Sequence, residues 1–161
     1  MTGLDTNILV QLAFASHPAH DANVALVQKE SLSGSRLVFP AHVIMEFLHV
    51  ATDKRRFSPP MTMPEAVDWI NSFLQNPGVM LLDAAPASAA QALLWIQHFG
   101  LGRKRIIDTH LAAILHAAGV KRLLISNSGD FDIFRVFEII APVPAPTSAP
   151  AAPSDPGTAP P

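Results

Sequence analysis

Residues 2–14 read TGLDTNILVQLAF. A short strand-like run ends on Asp5, and an apolar stretch with helical spacing resumes at Ile8. This is the layout of a βα unit with an acid at its join. Two readings of that acid stand side by side. Asp, Thr and Asn are good helix caps, so Asp5, Thr6 or Asn7 satisfies free N–H groups at the start of a helix over Ile8–Phe14. Alternatively, Asp5 is a carboxylate displayed at the carboxyl end of a parallel strand, where sites in open α/β sheets form.

The rest of the chain extends the βα pattern. Dense apolar runs recur at LVFP (37–40), VMLLD (79–83), RLLIS (122–126) and, more weakly, FEII (137–140). Their brevity and composition suit buried parallel strands. Helical candidates lie between them: Ala19–Ser31, Ala41–Ala51, Pro64–Leu74, Pro86–Phe99 and Ile107–Ala118. Thr62 and Glu65 have capping-box spacing with Pro64 in the first turn, and Gly119 follows the last helix as a C-cap. Strands alternating with helices predict an α/β fold with a central parallel sheet covered on both faces.

At 161 residues and 17.2 kDa the chain is the size of one domain. That domain is expected over residues 1–141. The closing stretch APVPAPTSAPAAPSDPGTAPP holds eight of the fifteen prolines and cannot build a core, so residues 142–161 are expected to be a disordered tail. No apolar run approaches the roughly 20 residues of a membrane span. The start also lacks the charged, cleavable pattern of a secretory signal, so a cytoplasmic location is expected. With zero Cys, disulfides, thiolate metal sites and Cys nucleophiles are excluded.

The net charge of −2 does not by itself announce a nucleic-acid binder. Eight of the eleven Lys and Arg residues nevertheless fall in three clusters, Lys54-Arg55-Arg56, Arg103-Lys104-Arg105 and Lys121-Arg122. Such patches are either ordinary solvated surface or local holds for a phosphate backbone.

Three further acids stand in positions that invite the question raised by Asp5. In IIDTHLAAILHAA (106–118), Ile107, Leu111, Ile114, Leu115 and Ala118 form one apolar face with Asp108 at its edge. Asp108 is either a cap for a helix starting at Thr109 or a carboxylate held near the core, which is costly without a positive partner. In AHVIMEFLHVAT (41–52), Glu46 lies mid-helix, where capping cannot explain it but plain exposure can. In ISNSGDF (125–131), Asp130 follows a strand in a segment rich in turn residues. One shared site accounts for all four acids. Two like charges about 4 Å apart cost roughly 4 kcal/mol at an effective dielectric of about 20, so protons or a hard cation must compensate. An all-oxygen donor set suits Mg²⁺ or Mn²⁺, which bind substrate phosphates and activate water.

In order and spacing, GLDTNILV, FPAHVIMEFLHVAT, IIDTHLAAIL and ISNSGDF resemble the motifs of PIN-domain nucleases, especially the VapC-type toxins of bacterial toxin–antitoxin pairs. DKRRFSPPMTMPEA, between the second and third motifs, is similar to one branch of those toxins. The resemblance covers residues 1 to about 141 and implies a three-layer α/β/α sandwich and a metal-dependent endoribonuclease. It implies catalytic roles for Asp5, Glu46, Asp108 and Asp130, with Asp5 and Asp108 on the metal. Asn7 matches the position that supports the attacking water. The fourth motif departs from the family: Ser126 takes the hydroxyl position and Asp130 remains, while either Ser128 or Asn127 aligns with the family's further acid or amide. The family pattern also implies Mg²⁺ or Mn²⁺, an RNA substrate, a cognate antitoxin and a homodimer. Arg103, Lys104 and Arg105, just before Asp108, are expected to contact RNA.

Rival readings fare worse or predict less. A haloacid-dehalogenase-type phosphatase wants an Asp where Asn7 stands, and a receiver-type phosphoacceptor site wants two adjacent acids where LDTN offers one. A degenerate PIN module that binds RNA or a partner without cutting is the alternative, made plausible by the altered fourth motif. Trp69 and Trp95 read as packing residues. The seven histidines read as scattered boundary positions, because His42/His49 and His110/His116 lack the spacing of a helical metal clamp.

Overall fold

A computed structural model describes residues 1–142; of the expected tail, everything from Val143 onward lies outside the described residues. Five strands form one sheet: β1 (Thr2–Leu4), β2 (Leu37–Pro40), β3 (Val79–Leu82), β4 (Arg122–Leu124) and β5 (Glu138–Ile140). Every neighbouring pair is parallel, in the order β3-β2-β1-β4-β5. Six helices connect them: α1 (Thr6–Ala13), α2 (His20–Leu32), α3 (Ala41–Ala51), α4 (Met63–Leu74), α5 (Pro86–His98) and α6 (Ile106–Ala117). All five strands and six helices thus fall where the apolar periodicity places them, shifted by a residue or two at their ends.

The strand order reverses direction once. The chain steps from β1 to β2 to β3 on one side, then returns past β1 to β4 and β5. Right-handed crossovers in opposite directions put their helices on opposite faces. The packing agrees. Helix α1 lies against α2 and α3, α3 against α4, and α5 against α6, so the two sets cover the two faces. The switch point between β1 and β4 is where an open α/β sheet forms its crevice.

Gly3 shows how closely the second layer sits. A Cβ at this position would come within 2.8 Å of Leu115 Cδ1, so the missing side chain lets α6 lie against β1. Leu111, Leu115, Leu123 and Leu124 are buried around that contact, together with Leu4, Ile8, Phe39, Val43 and Phe47. On the α3–α4 layer Trp69 stacks on Phe73 and lies tilted against Phe47, and on the α5–α6 layer Trp95 stacks on Phe134, so both indoles pack as expected. The α4 start carries the full capping box of Thr62 and Glu65, and Gly119 takes the left-handed conformation that closes α6.

At the amino end of the sheet, Arg122 on β4 reaches α2. Its Nη1 and Nη2 lie 2.8 and 2.9 Å from the two carboxylate oxygens of the buried Glu30, and Thr2 donates to the same acid at 2.6 Å. This pin ties β1, β4 and α2 together, well away from the carboxyl ends of the strands. One expectation is corrected here. Ile107 does not join the apolar face of α6 but is 52 % exposed, as is Ile106 at 47 %. The helix begins a residue earlier than expected, and its first turn projects beside α5 instead of over the sheet.

Candidate active site

Asp5 ends the central strand. Leu4 pairs with Leu124 in register, and the Asp5 amide donates to the Leu124 carbonyl at 3.3 Å, so backbone pairing fixes the acid at the β1/β4 switch point. It precedes α1, yet its side chain makes no capping hydrogen bond. Instead a carboxylate oxygen accepts from Asn7 Nδ2 at 3.1 Å. The cap reading of Asp5 is therefore not what the side chain does.

Asp5 is only 6 % exposed. Burial pushes its carboxyl from the usual 3.8 up to about 6, and the nearby Asp108 and Glu46 push the same way, against the backbone N–H groups of Thr6 and Asn7. Asp108 lies in the first turn of α6, inside the helix, so it is no cap for a helix starting at Thr109. Its carboxyl is also raised: burial first, then Asp130, with Arg105 opposing and Glu46 adding to the rise. Glu46 projects from the middle of α3 and accepts from Thr6 Oγ1 at 2.7 Å. Asp5 thus feels Asp108 and Glu46, and Asp108 feels Asp130 and Glu46, so the four acids lie in one neighbourhood at the carboxyl end of β1.

The fourth motif follows β4. Ser126 Oγ donates to Gln11 Oε1 on α1 at 2.6 Å. The segment Ser128–Asp130 forms a 3-10 turn, and Asn127 Nδ2 donates to Asp130 Oδ2. Asp130 faces Arg105, whose Nη1 lies 2.9 Å from Asp130 Oδ1 while its Nε lies 3.7 Å from Asp108 Oδ2. The basic cluster thus divides. Arg103 and Lys104 are exposed on the 3-10 turn ahead of α6, whereas Arg105 turns inward between two acids. Among the described residues, no three His, Asp or Glu side chains stand close enough to grip a metal ion as they are. The acids meet through their charges and not yet through a common ligand.

Four participants escaped the sequence reading. Thr6 holds Glu46 across two helices, and its hydroxyl between Asp5 and Asn7 was the available signal. Gln11 anchors both Ser126 and Asn23; a lone amide inside the apolar run ILVQLAF was the hint. The bridging role of Arg105 and the stacking of His42 on His110, with ring centroids 5.4 Å apart, join distant segments and left no local signal. Burial and His110 hold the His42 imidazole below its usual range, with Glu46 pulling the other way.

Comparison with known proteins places the chain in a family. Residues 4–136 match the PIN domain family. The chain belongs to that family. Among curated relatives it is similar to Ribonuclease VapC33 of Mycobacterium tuberculosis, with 25 % identity over 135 residues, 84 % of this chain and 92 % of the relative. It is similar also to Ribonuclease VapC24 of the same organism, 26 % identical over 145 residues, 89 % and 97 % of the two chains. Among solved structures, VapBC2 from Rickettsia felis, bound to a DNA fragment from its promoter, superposes with a TM-score of 0.63 at 16 % identity over 87 % of this PIN domain chain and 97 % of the other. The Mycobacterium tuberculosis toxin VapC20, which cleaves the sarcin–ricin loop, gives 0.60 at 15 % identity over 76 % and 87 %. At those identities the structural likeness establishes the PIN fold, a parallel sheet between two helical layers.

Proposed function

We propose that this PIN domain is a Mg²⁺- or Mn²⁺-dependent endoribonuclease and the toxin of a type II toxin–antitoxin pair. The observation that carries the reading is the buried Asp5 at the sheet's switch point, its carboxyl pushed up by burial and by the charges of Asp108 and Glu46. The ribonuclease names of the relatives that cover nearly the whole chain support it, as do the toxin–antitoxin complexes among the structural neighbours. On that support a cognate antitoxin, a homodimer and a cytoplasmic site of action belong to the same proposal.

By its chemistry the donor set fits a hard divalent cation, whose binding would have to draw the side chains together. Asp5, Asp108 and Glu46 offer only carboxylate oxygens, and the raised carboxyls of Asp5 and Asp108 mark where positive charge is wanted. Those three residues would hold it, and when bound it supplies an activated water and neutralises charge on the phosphodiester. The chain's own side chains supply the rest. Asn7 orients the Asp5 carboxylate, and Thr6 fixes Glu46. The exposed Arg103 and Lys104, on the 3-10 turn just ahead of Asp108, would hold the phosphates flanking the scissile bond.

One observation favours the degenerate alternative. Ser126, Asn127 and Asp130 are engaged with Gln11, with one another and with Arg105. The test separates the readings. A total RNA pool is incubated with Mg²⁺ or Mn²⁺ and the wild-type chain or Asp108→Asn. Cleavage disappears in the variant while RNA affinity holds or rises, because a repulsive charge has gone. Wild-type cleavage by Asp108→Asn refutes the nuclease reading, and RNA binding without cleavage by the wild type selects the degenerate module.

A further inference from the structure

Arg105 stands apart from the other basic residues. It ends the 3-10 turn ahead of α6, and its side chain is 23 % exposed, whereas Arg103 and Lys104 beside it face solvent. The guanidinium spans two acids brought from different segments, Asp108 on α6 and Asp130 after β4. It does so without satisfying itself. Nε and Nη2 are buried and have no hydrogen-bond partner among the described residues. A planar fork with five N–H donors, left largely unpaired beside two carboxylates, is held by charge more than by geometry.

We propose that Arg105 is a resident counter-cation that competes with the divalent metal for Asp108, so that this chain's own side chain sets how much metal the site requires. The proposal rests on the metal-site reading above. At 3.7 Å the contact to Asp108 is an ion pair and not a hydrogen bond, so Arg105 opposes a second cation through its fixed positive charge. A cation arriving at Asp108 therefore meets that charge at close range, while the 2.9 Å pairing with Asp130 keeps the Arg105 side chain beside the site. The tether holds the Asp130 carboxylate against Arg105. It also gives the altered fourth motif a task, since Asn127 braces the same Asp130 carboxylate.

The test measures Mn²⁺ binding by the metal-free full-length chain, by isothermal titration and by water-proton relaxation, in wild type, Arg105→Ala, Arg105→Gln, Arg105→Lys and Lys121→Ala. Circular dichroism checks that each variant is folded. Removing a neighbouring positive charge should tighten Mn²⁺ binding about tenfold in Arg105→Ala and Arg105→Gln. Arg105→Lys, which keeps the charge, should stay within about threefold of wild type. Lys121→Ala removes the same charge at the opposite end of the sheet and should change nothing. Unchanged or weaker Mn²⁺ binding in the Ala and Gln variants overturns the proposal, because Arg105 would then be a brace that positions the acids. Failure of wild type and all variants alike to bind Mn²⁺ is a different result: it removes the metal site itself.

Discussion

Replacing Asp5 by Asn tests the central claim, that the switch-point carboxylate is held in the fold at a cost. The carboxyl is raised from 3.8 to about 6, mainly by burial and then by Asp108 and Glu46. At 1.36 kcal/mol per pH unit, ionised Asp5 destabilises the metal-free fold by about 3 kcal/mol at neutral pH. Folding raises this pKa, so the folded chain binds the proton more tightly than the unfolded chain. The penalty is therefore absent below the unfolded value of 3.8, grows as the pH rises toward about 6 and is constant above it. Asn keeps an oxygen to accept from Asn7 and carries no charge at any pH. In EDTA at pH 7, Asp5→Asn should thus be more stable than wild type by up to about 3 kcal/mol, a rise in Tm on the order of 10 °C. Near pH 4 the two should nearly coincide.

The assay is urea unfolding followed by circular dichroism, at several pH values, with EDTA and then with Mn²⁺. A ligand that binds only the folded state stabilises it by about 2.7 kcal/mol at a hundred times its Kd, so saturating Mn²⁺ should bring wild type level with the metal-blind variant. A variant less stable than wild type in EDTA at pH 7 refutes the argument. So does a stability difference that stays the same from pH 7 to pH 4, since it would come from packing and not from charge.

Further predictions rest on individual side chains. Glu30→Ala leaves Arg122, a third exposed and still beside Glu138, without its bidentate partner and should cost about 1.5–3 kcal/mol in urea unfolding, with Mn²⁺ affinity unchanged because the pin lies at the other end of the sheet. Gly3→Ala forces a methyl to within 2.8 Å of Leu115 Cδ1 and should cost about 1–3 kcal/mol, read by the same unfolding curve, as α6 is pushed off β1. Arg103→Ala with Lys104→Ala should weaken RNA binding and reduce its salt dependence, measured by filter binding across a salt series. The slope should fall by about 0.7 for each single-strand phosphate that the variant no longer neutralises. Deleting residues 143–161 should leave the melting temperature and RNA cleavage unchanged, since the PIN match ends at residue 136.

The fold was legible because its signals are local. A buried parallel strand needs a dense apolar run, a helix needs 3.6-residue periodicity, and both are written within about a dozen residues. The capping box at Thr62 and Glu65 and the left-handed Gly119 are equally local, and both stand where the sequence puts them. Ile107 misled for the same reason. A helical wheel sees only its own helix, and whether a face is covered depends on where the sheet ends.

The candidate site divides along that line too. Asp5, Glu46 and Asp108 could be singled out because each is an acid set against an apolar pattern, an anomaly visible from neighbours in the chain. What surrounds them was not visible. Thr6 meets Glu46 across 40 positions and Ser126 meets Gln11 across 115, distances over which sequence carries no periodicity. Arg105 is the sharper case, since its cluster reads as three equivalent basic residues. The backbone makes them unequal: the 3-10 turn and the first turn of α6 aim two side chains outward and one back between Asp108 and Asp130. An acid out of place announces that charge must be balanced. Part of that balance is already in the chain, because the turn aims Arg105 between Asp108 and Asp130.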